Sequence, residues 1–161
     1  MKKLTGKQKI LSAISLILVV CCISLLFGNF SLDVQEIHIP STKIPDSFNN
    51  YLIAHISDYH NRNSRLIDKQ IFKSLNEEKP DIIVITGDLV DYSNTKVDVA
   101  LDFVEKLCEI APVYYVPGNH EANVKSDDEK VYEKLLDGLD EIGVNLLLNK
   151  KVKIENDEGD S

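Results

Sequence analysis

Asp81-Ile82-Ile83-Val84-Ile85-Thr86-Gly87-Asp88-Leu89-Val90-Asp91 decides the fold: an apolar run, a glycine, and two aspartates three residues apart. The run reads as a buried strand over 81–86, and the glycine lets the backbone turn sharply where the strand ends. The same arrangement recurs on both sides. Upstream, 51–56 precedes Asp58-Tyr59-His60 and is nearly continuous in apolar residues, as expected for a strand covered on both faces. Downstream, a third buried strand over 113–116 precedes Gly118-Asn119-His120-Glu121. Between these runs, Leu66, Ile67, Ile71, Phe72 and Leu75 recur at helical spacing over 65–77, closed by Pro80. Val97, Leu101, Val104 and Cys108 form a second helical stripe over about 95–110, with Pro112 after it. The order β-α-β-α-β builds a parallel α/β sheet. Right-handed crossovers bring all strand C-terminal ends to one edge, where open α/β sheets bind ligands. The three clusters, about thirty residues apart, are expected to meet there.

Outside this block, Ser126 with Glu129 resembles a capping box opening a helix through Val131, Leu135, Leu136, Leu139 and Ile142, with Gly143 as its C-terminal cap. Residues 144–148 read as a strand, and 151–155 alternate like an edge strand. Asn156-Asp157-Glu158-Gly159-Asp160 has hairpin-turn composition with only Ser161 after it, so a partial chain is expected rather than a disordered acidic tail. Residues 34–39 alternate apolar and polar, which suits a half-exposed strand ended by Pro40, and 41–50 read as a loop.

A chain of 161 residues holds one ordinary domain, but its first thirty residues stand apart. No charge lies between Lys9 and Asp33. A helix over 10–30 would span roughly 30 Å, the thickness of a bilayer core. Lys2, Lys3, Lys7 and Lys9 precede it, so a single-pass membrane segment with a cytoplasmic N-terminus and an extracytoplasmic domain is expected. No small-x-small pair follows the apolar core, which favours an uncleaved anchor over a signal peptide. The expected organisation is thus 1–30 basic start and anchor, 31–50 strand and linker, and 51–161 the main domain.

Beyond the anchor, 14 basic residues face all 26 acidic ones, a net charge of −12. That balance argues against nucleic-acid binding by bulk charge and suits a site where metal ions supply the positive centre. Cys21 and Cys22 fall in the apolar segment. Cys108 sits among core positions of a helix, so no disulfide framework is expected.

The loop residues are those of a metal centre. Asp58 and His60 are two apart, and an extended backbone would point both to one side. Asp88 offers a carboxylate able to bridge two cations, and Asn119 a neutral amide oxygen. Mixed oxygen and nitrogen donors suit Mn, Fe or Zn better than Ca. Two ions can hold a hydroxide, orient a phosphate and stabilise attacking and leaving oxygens during in-line displacement, so phosphoester hydrolysis is the natural reaction class. His120 can protonate the leaving oxygen, with Asp91 or Glu121 orienting its ring. Singly, each motif also suits an ordinary turn; three in order behind three strands favour a shared site. His38 and His55 lie within strand-like runs and read as structural.

D-x-H, G-D-x-x-D and G-N-H-[ED] together resemble the first motifs of the calcineurin-like metallophosphoesterases, over about 51–148, and the leading anchor resembles the membrane-associated bacterial branch of that family. The resemblance implies the N-terminal half of a four-layer α/β/β/α metallophosphoesterase sandwich, preceded by one transmembrane helix. It implies two divalent metal ions in the complete domain, with Asp58 and His60 on the first, Asp88 bridging and Asn119 on the second. His120 would be the catalytic acid, Asp91 its orienting partner, and a phosphoester of unspecified type the substrate. Family members add a further histidine and a later G-H-x-H, whereas His38, His55, His60 and His120 are the only histidines here. A membrane-anchored hydrolase represented by a fragment is therefore the leading expectation. A non-catalytic remnant or anchored interaction module is the alternative, and completion in trans by a second polypeptide a third.

Overall fold

The computed structural model describes residues 5–30 and 32–155, and the chain divides into two compact units after Glu36. In the first unit, α1 (Gly6–Phe30) is a single uninterrupted helix whose described side chains are exposed. Its 25 residues extend roughly 37 Å at the usual rise, long and apolar enough to cross a bilayer. The expectations for Lys2, Lys3 and the turn at 156–160 lie outside the described residues.

The second unit contains β1 (Ile53–Ile56), α2 (Arg65–Glu78), β2 (Ile82–Ile85), α3 (Val97–Cys108), β3 (Val113–Tyr115), α4 (Asn119–Asp127), α5 (Glu129–Ile142) and β4 (Asn145–Leu146). All four strands are parallel and lie in the order β1-β2-β3-β4. The mixed α/β parallel architecture is the one expected from the alternation of apolar runs. When strands are laid down in one direction, right-handed crossovers put every connecting helix on the same face. That face carries Ile83, Ile85, Val113 and Tyr115, all at or near zero exposure, packed in one cluster with Leu75, Phe103, Val104, Leu107, Leu135 and Leu139. Cys108 packs against this cluster as expected.

The opposite face is more open, which corrects the expectation for 51–56. Ile53 remains 52% exposed, and His55 and Asn145 are exposed. β1 is an edge strand on a sheet covered from one side, so its apolar continuity does not mean burial on both faces. The second unit is thus one parallel sheet with one helical layer packed on it.

Further boundaries differ from expectation. Residues 34–39 form no strand, and Val34, Ile37 and Ile39 are all exposed; alternation gives only the capacity to pair, and no described strand lies alongside. Residues 151–155 likewise form no strand, and β4 is two residues long. Ser126 lies inside α4 and does not cap the next helix. Asp128 does so instead, its carboxylate accepting from Lys130 N and Val131 N, because the chain breaks two residues later than the Ser-x-x-Glu pattern suggests. Gly143 closes α5 at φ 91°, as expected.

Candidate metal centre

The loop after β2 is shaped by two glycines in backbone contact. Gly87 (φ 92°) and Gly118 lie so close that a methyl group on either would overlap the other's loop: on Gly87 it would meet the Gly118 backbone, on Gly118 the carboxylate and amide of Asp88. This approach seats Asp88, at φ 52° and almost fully buried, against the start of α4. Its Oδ1 accepts from His120 N at 2.9 Å. Gly118, the N-cap residue, has no side chain to cap the helix, and the carboxylate of the neighbouring loop takes that place.

Glu121 completes the junction. It is fully buried, and its carboxylate accepts three backbone N–H groups: Asp88 at 2.9 Å, Gly118 at 2.7 Å and Val90 at 3.1 Å. The carboxylate is therefore occupied by main chain and does not orient the imidazole of His120, which corrects, as regards Glu121, the expectation that Asp91 or Glu121 would do so. A buried carboxylate is tolerated only when its lone pairs are met, and converging amides meet them here.

The first loop is laced onto the second by backbone bonds from Asp58 N to Gly87 O (3.3 Å), His60 N to Asp88 O (2.9 Å) and Asn61 N to Leu89 O (2.8 Å). Asp58, His60 and Asn61 adopt φ of 57°, 51° and 38°, so the expected extended geometry is not the one used. Left-handed residues curl the loop instead, and His60 Nε2 still comes within 3.7 Å of Asp58 Oδ1. Tyr59 points away into the core, where its ring stacks on Phe103 at 3.9 Å. Burial, assisted by Asp68, pushes its phenol up to about 12.

Of the residues named from sequence, His60, Asp88 and His120 come together most tightly: one ligand atom from each lies within 4.8 Å of the other two. The rings of His60 and His120 meet edge to face at 4.4 Å. Asp58 is exposed beside His60, and Asn119 is exposed as the first residue of α4. Among the described residues His60 Nδ1 is shut from solvent and has no hydrogen-bond partner. That donor set fits a divalent cation. His55 is elsewhere, its Nε2 2.6 Å from Thr86 Oγ1, and His38 is exposed in the segment after α1.

Asp91 and His120 adjoin, with Asp91 Oδ1 3.8 Å from His120 Nδ1. The hydrogen bond to that nitrogen comes from Tyr92 N at 3.0 Å. Asp91 Oδ1 accepts from the Ser93 hydroxyl at 2.7 Å and Ser93 N at 2.8 Å. These two bonds, with smaller help from His120 and His60, hold Asp91 below the usual carboxylate range. Asn61 was not foreseen. It is 5% exposed and bonded on both sides of its amide, yet nothing local in the sequence separates it from Asn63, which also has positive φ.

A family model for calcineurin-like phosphoesterases matches residues 51–160. Uncharacterized metallophosphoesterase YkoQ of Bacillus subtilis (strain 168) is 31% identical over 109 residues, 66% of this chain and 39% of the relative. A Danio rerio protein named transmembrane protein with metallophosphoesterase domain is 29% identical over 125 residues, 75% of this chain and 27% of the relative. An uncharacterized protein of Acanthamoeba polyphaga mimivirus, R555, is 34% identical over 87 residues, covering 46% of this chain and 6% of that protein. The chain spans well under half the length of each of these relatives. With the three motifs converging at the carboxyl edge of a parallel sheet and the family model matching from the first strand onward, the chain belongs to the calcineurin-like phosphoesterase family.

Proposed function

We propose that this chain carries one side of a dinuclear metal centre for phosphoester hydrolysis, held at a membrane by α1. The convergence of His60, Asp88 and His120 within 4.8 Å, in a chain of this family, carries the reading. Asp58 and His60 would hold the first ion, Asp88 would be shared between the two and Asn119 would serve the second; Mn, Fe or Zn suits these donors. When bound, the ions supply Lewis acidity and a nucleophile at neutral pH.

The rest is the work of the chain. The Tyr92 amide donates to His120 Nδ1, so the neutral ring carries its proton on Nε2 and faces a substrate as a donor. His120 is then the acid that protonates the leaving oxygen. Asp91, kept ionised by its bonds to Ser93, is the anion beside the ring and steadies its orientation. Residues 1–30 act as the anchor, 31–50 as linker and 51–161 as the phosphoesterase portion. The lysines ahead of the helix place the N-terminus in the cytoplasm and the domain outside.

The test is Mn²⁺ titration of the full chain in detergent micelles, followed by electron paramagnetic resonance, with p-nitrophenyl phosphate turnover measured in parallel. Wild type is expected to bind, and Asp88→Asn to lose at least about tenfold in affinity, roughly 1.4 kcal/mol. Equal binding by both forms would sink the assignment. No binding by either would favour the anchored interaction module.

A further inference from the structure

Asp58, His60 and Asn61 surround Tyr59 with left-handed backbone, at φ of 57°, 51° and 38°. Residues with side chains keep that conformation only where the neighbouring structure over-determines it. On the front of the loop the restraint is main chain: Asp58 N, His60 N and Asn61 N donate to Gly87 O, Asp88 O and Leu89 O. From behind, the restraint is Tyr59. Its ring is 7% exposed and stacks on Phe103 of α3 at 3.9 Å between centroids, the planes 10° apart. Phe72 of α2 packs on the same Phe103 at 5.4 Å, and the Tyr59 hydroxyl donates to Asp68, one turn earlier in α2. The residues on either side of this ring carry donor atoms. His60 lies within 4.8 Å of Asp88 and His120, and its Nε2 is 3.7 Å from Asp58 Oδ1. A stacked ring has one orientation in its socket, so it fixes the direction of its Cα–Cβ bond and with it the twist of the loop; an aliphatic side chain repacks among several rotamers.

We propose that Tyr59 is a positioning residue for Asp58 and His60: its ring, seated in a socket formed by α2 and α3, anchors the first loop from behind and holds His60 within reach of Asp88. What this contributes to ion binding rests on the reading of the cluster as a metal centre. The anchoring itself does not, because it concerns the backbone of the loop and is measurable without metal or substrate. An aromatic residue that only filled the core would, when replaced, weaken the domain evenly and leave the loop no looser than the sheet.

The experiment pairs amide hydrogen exchange of the metal-free full chain in micelles with Mn²⁺ titration followed by electron paramagnetic resonance. In Tyr59→Leu the amides of Asp58, His60 and Asn61 are expected to exchange at least about tenfold faster relative to Ile83 and Val116, whose amides bond to Pro112 O and Ile85 O. Mn²⁺ affinity is expected to fall at least about tenfold in the same variant. Tyr59→Phe keeps the ring and is expected to match wild type in both. Leu139→Ala opens a cavity in α5, which leads into the sheet edge opposite β1; it is expected to speed all five amides together and leave Mn²⁺ affinity unchanged. Loop amides that stay in step with Ile83 and Val116 in Tyr59→Leu overturn the proposal, as does loosening in Tyr59→Phe equal to that of the leucine variant. Where Tyr59→Leu does not fold, Phe103→Leu removes the stacking partner and is expected to free the same three amides selectively; an even response there overturns it too. A wild type that binds no Mn²⁺ defeats the proposed function, and the exchange ratios still decide the role of Tyr59.

Discussion

Replacing Glu121 by glutamine preserves shape and removes one charge, so its effect isolates the clamp that joins the second and third loops. In the wild type Oε2 accepts from Asp88 N and Gly118 N, and Oε1 from Val90 N. A glutamine oxygen can occupy the Oε2 position and keep two bonds in their weaker neutral form. Its NH₂ then opposes the Val90 N–H, donor against donor. An orphaned buried donor costs roughly 1–3 kcal/mol, and losing the charge from the other two bonds adds about 1 kcal/mol, giving a destabilisation of about 3 kcal/mol. Glu121→Ala orphans three donors and opens a cavity, but solvent reaches half-buried Gly118, so about 5 kcal/mol is expected. The assay is urea unfolding of the chain in micelles, followed by tyrosine near-ultraviolet circular dichroism and by exchange of the Asp88, Val90 and Gly118 amides. A glutamine variant within about 0.5 kcal/mol of wild type, with the Val90 amide equally protected, would refute the clamp.

Gly118→Ala pushes a methyl group onto Asp88 and should cost about 3 kcal/mol. Gly143→Ala meets open space and pays only for its left-handed backbone, about 1 kcal/mol; thermal denaturation of the pair should separate them in that order. Tyr59 has its folded-state phenol raised from 10.0 to about 12, so the folded protein favours the neutral ring. Its contribution is complete below pH 10 and is lost as pH rises through about 12, so Tyr59→Phe, which keeps the stacking ring, should flatten the stability curve across that window in base titrations. An unchanged alkaline slope would show that another group governs it.

The parallel sheet and the meeting of the three loops were legible because they depend on local signals: β-branched runs, helical stripes, and turn residues at fixed offsets. His60, Asp88 and His120 were likewise legible as reactive side chains at strand ends. What sequence could not convey was which backbone groups two separate loops would offer to a third residue. Glu121 was visible as a carboxylate next to a histidine, yet its partners are amides 31 and 33 residues away. Asn61 drew no attention because its bonds to Asp91, Asn94 and Lys96 exist only once two loops are side by side. Alternation over 34–39 and 151–155 measured a capacity to pair, and pairing needs a neighbour. The open face of β1 followed from a strand order that hydrophobicity does not encode.

That strand order also governs how the site comes into being. Each strand pairs only with its neighbours in sequence, so a chain emerging from its N-terminus can add one βα unit at a time without waiting for a distant segment. The first two loops can lace together as soon as β2 docks on β1, but Asp88 gains its helix-end partner and Glu121 its three amides only when β3 and α4 arrive. In a nascent chain the grouping of His60, Asp88 and His120 is therefore assembled only once the third strand and α4 have docked.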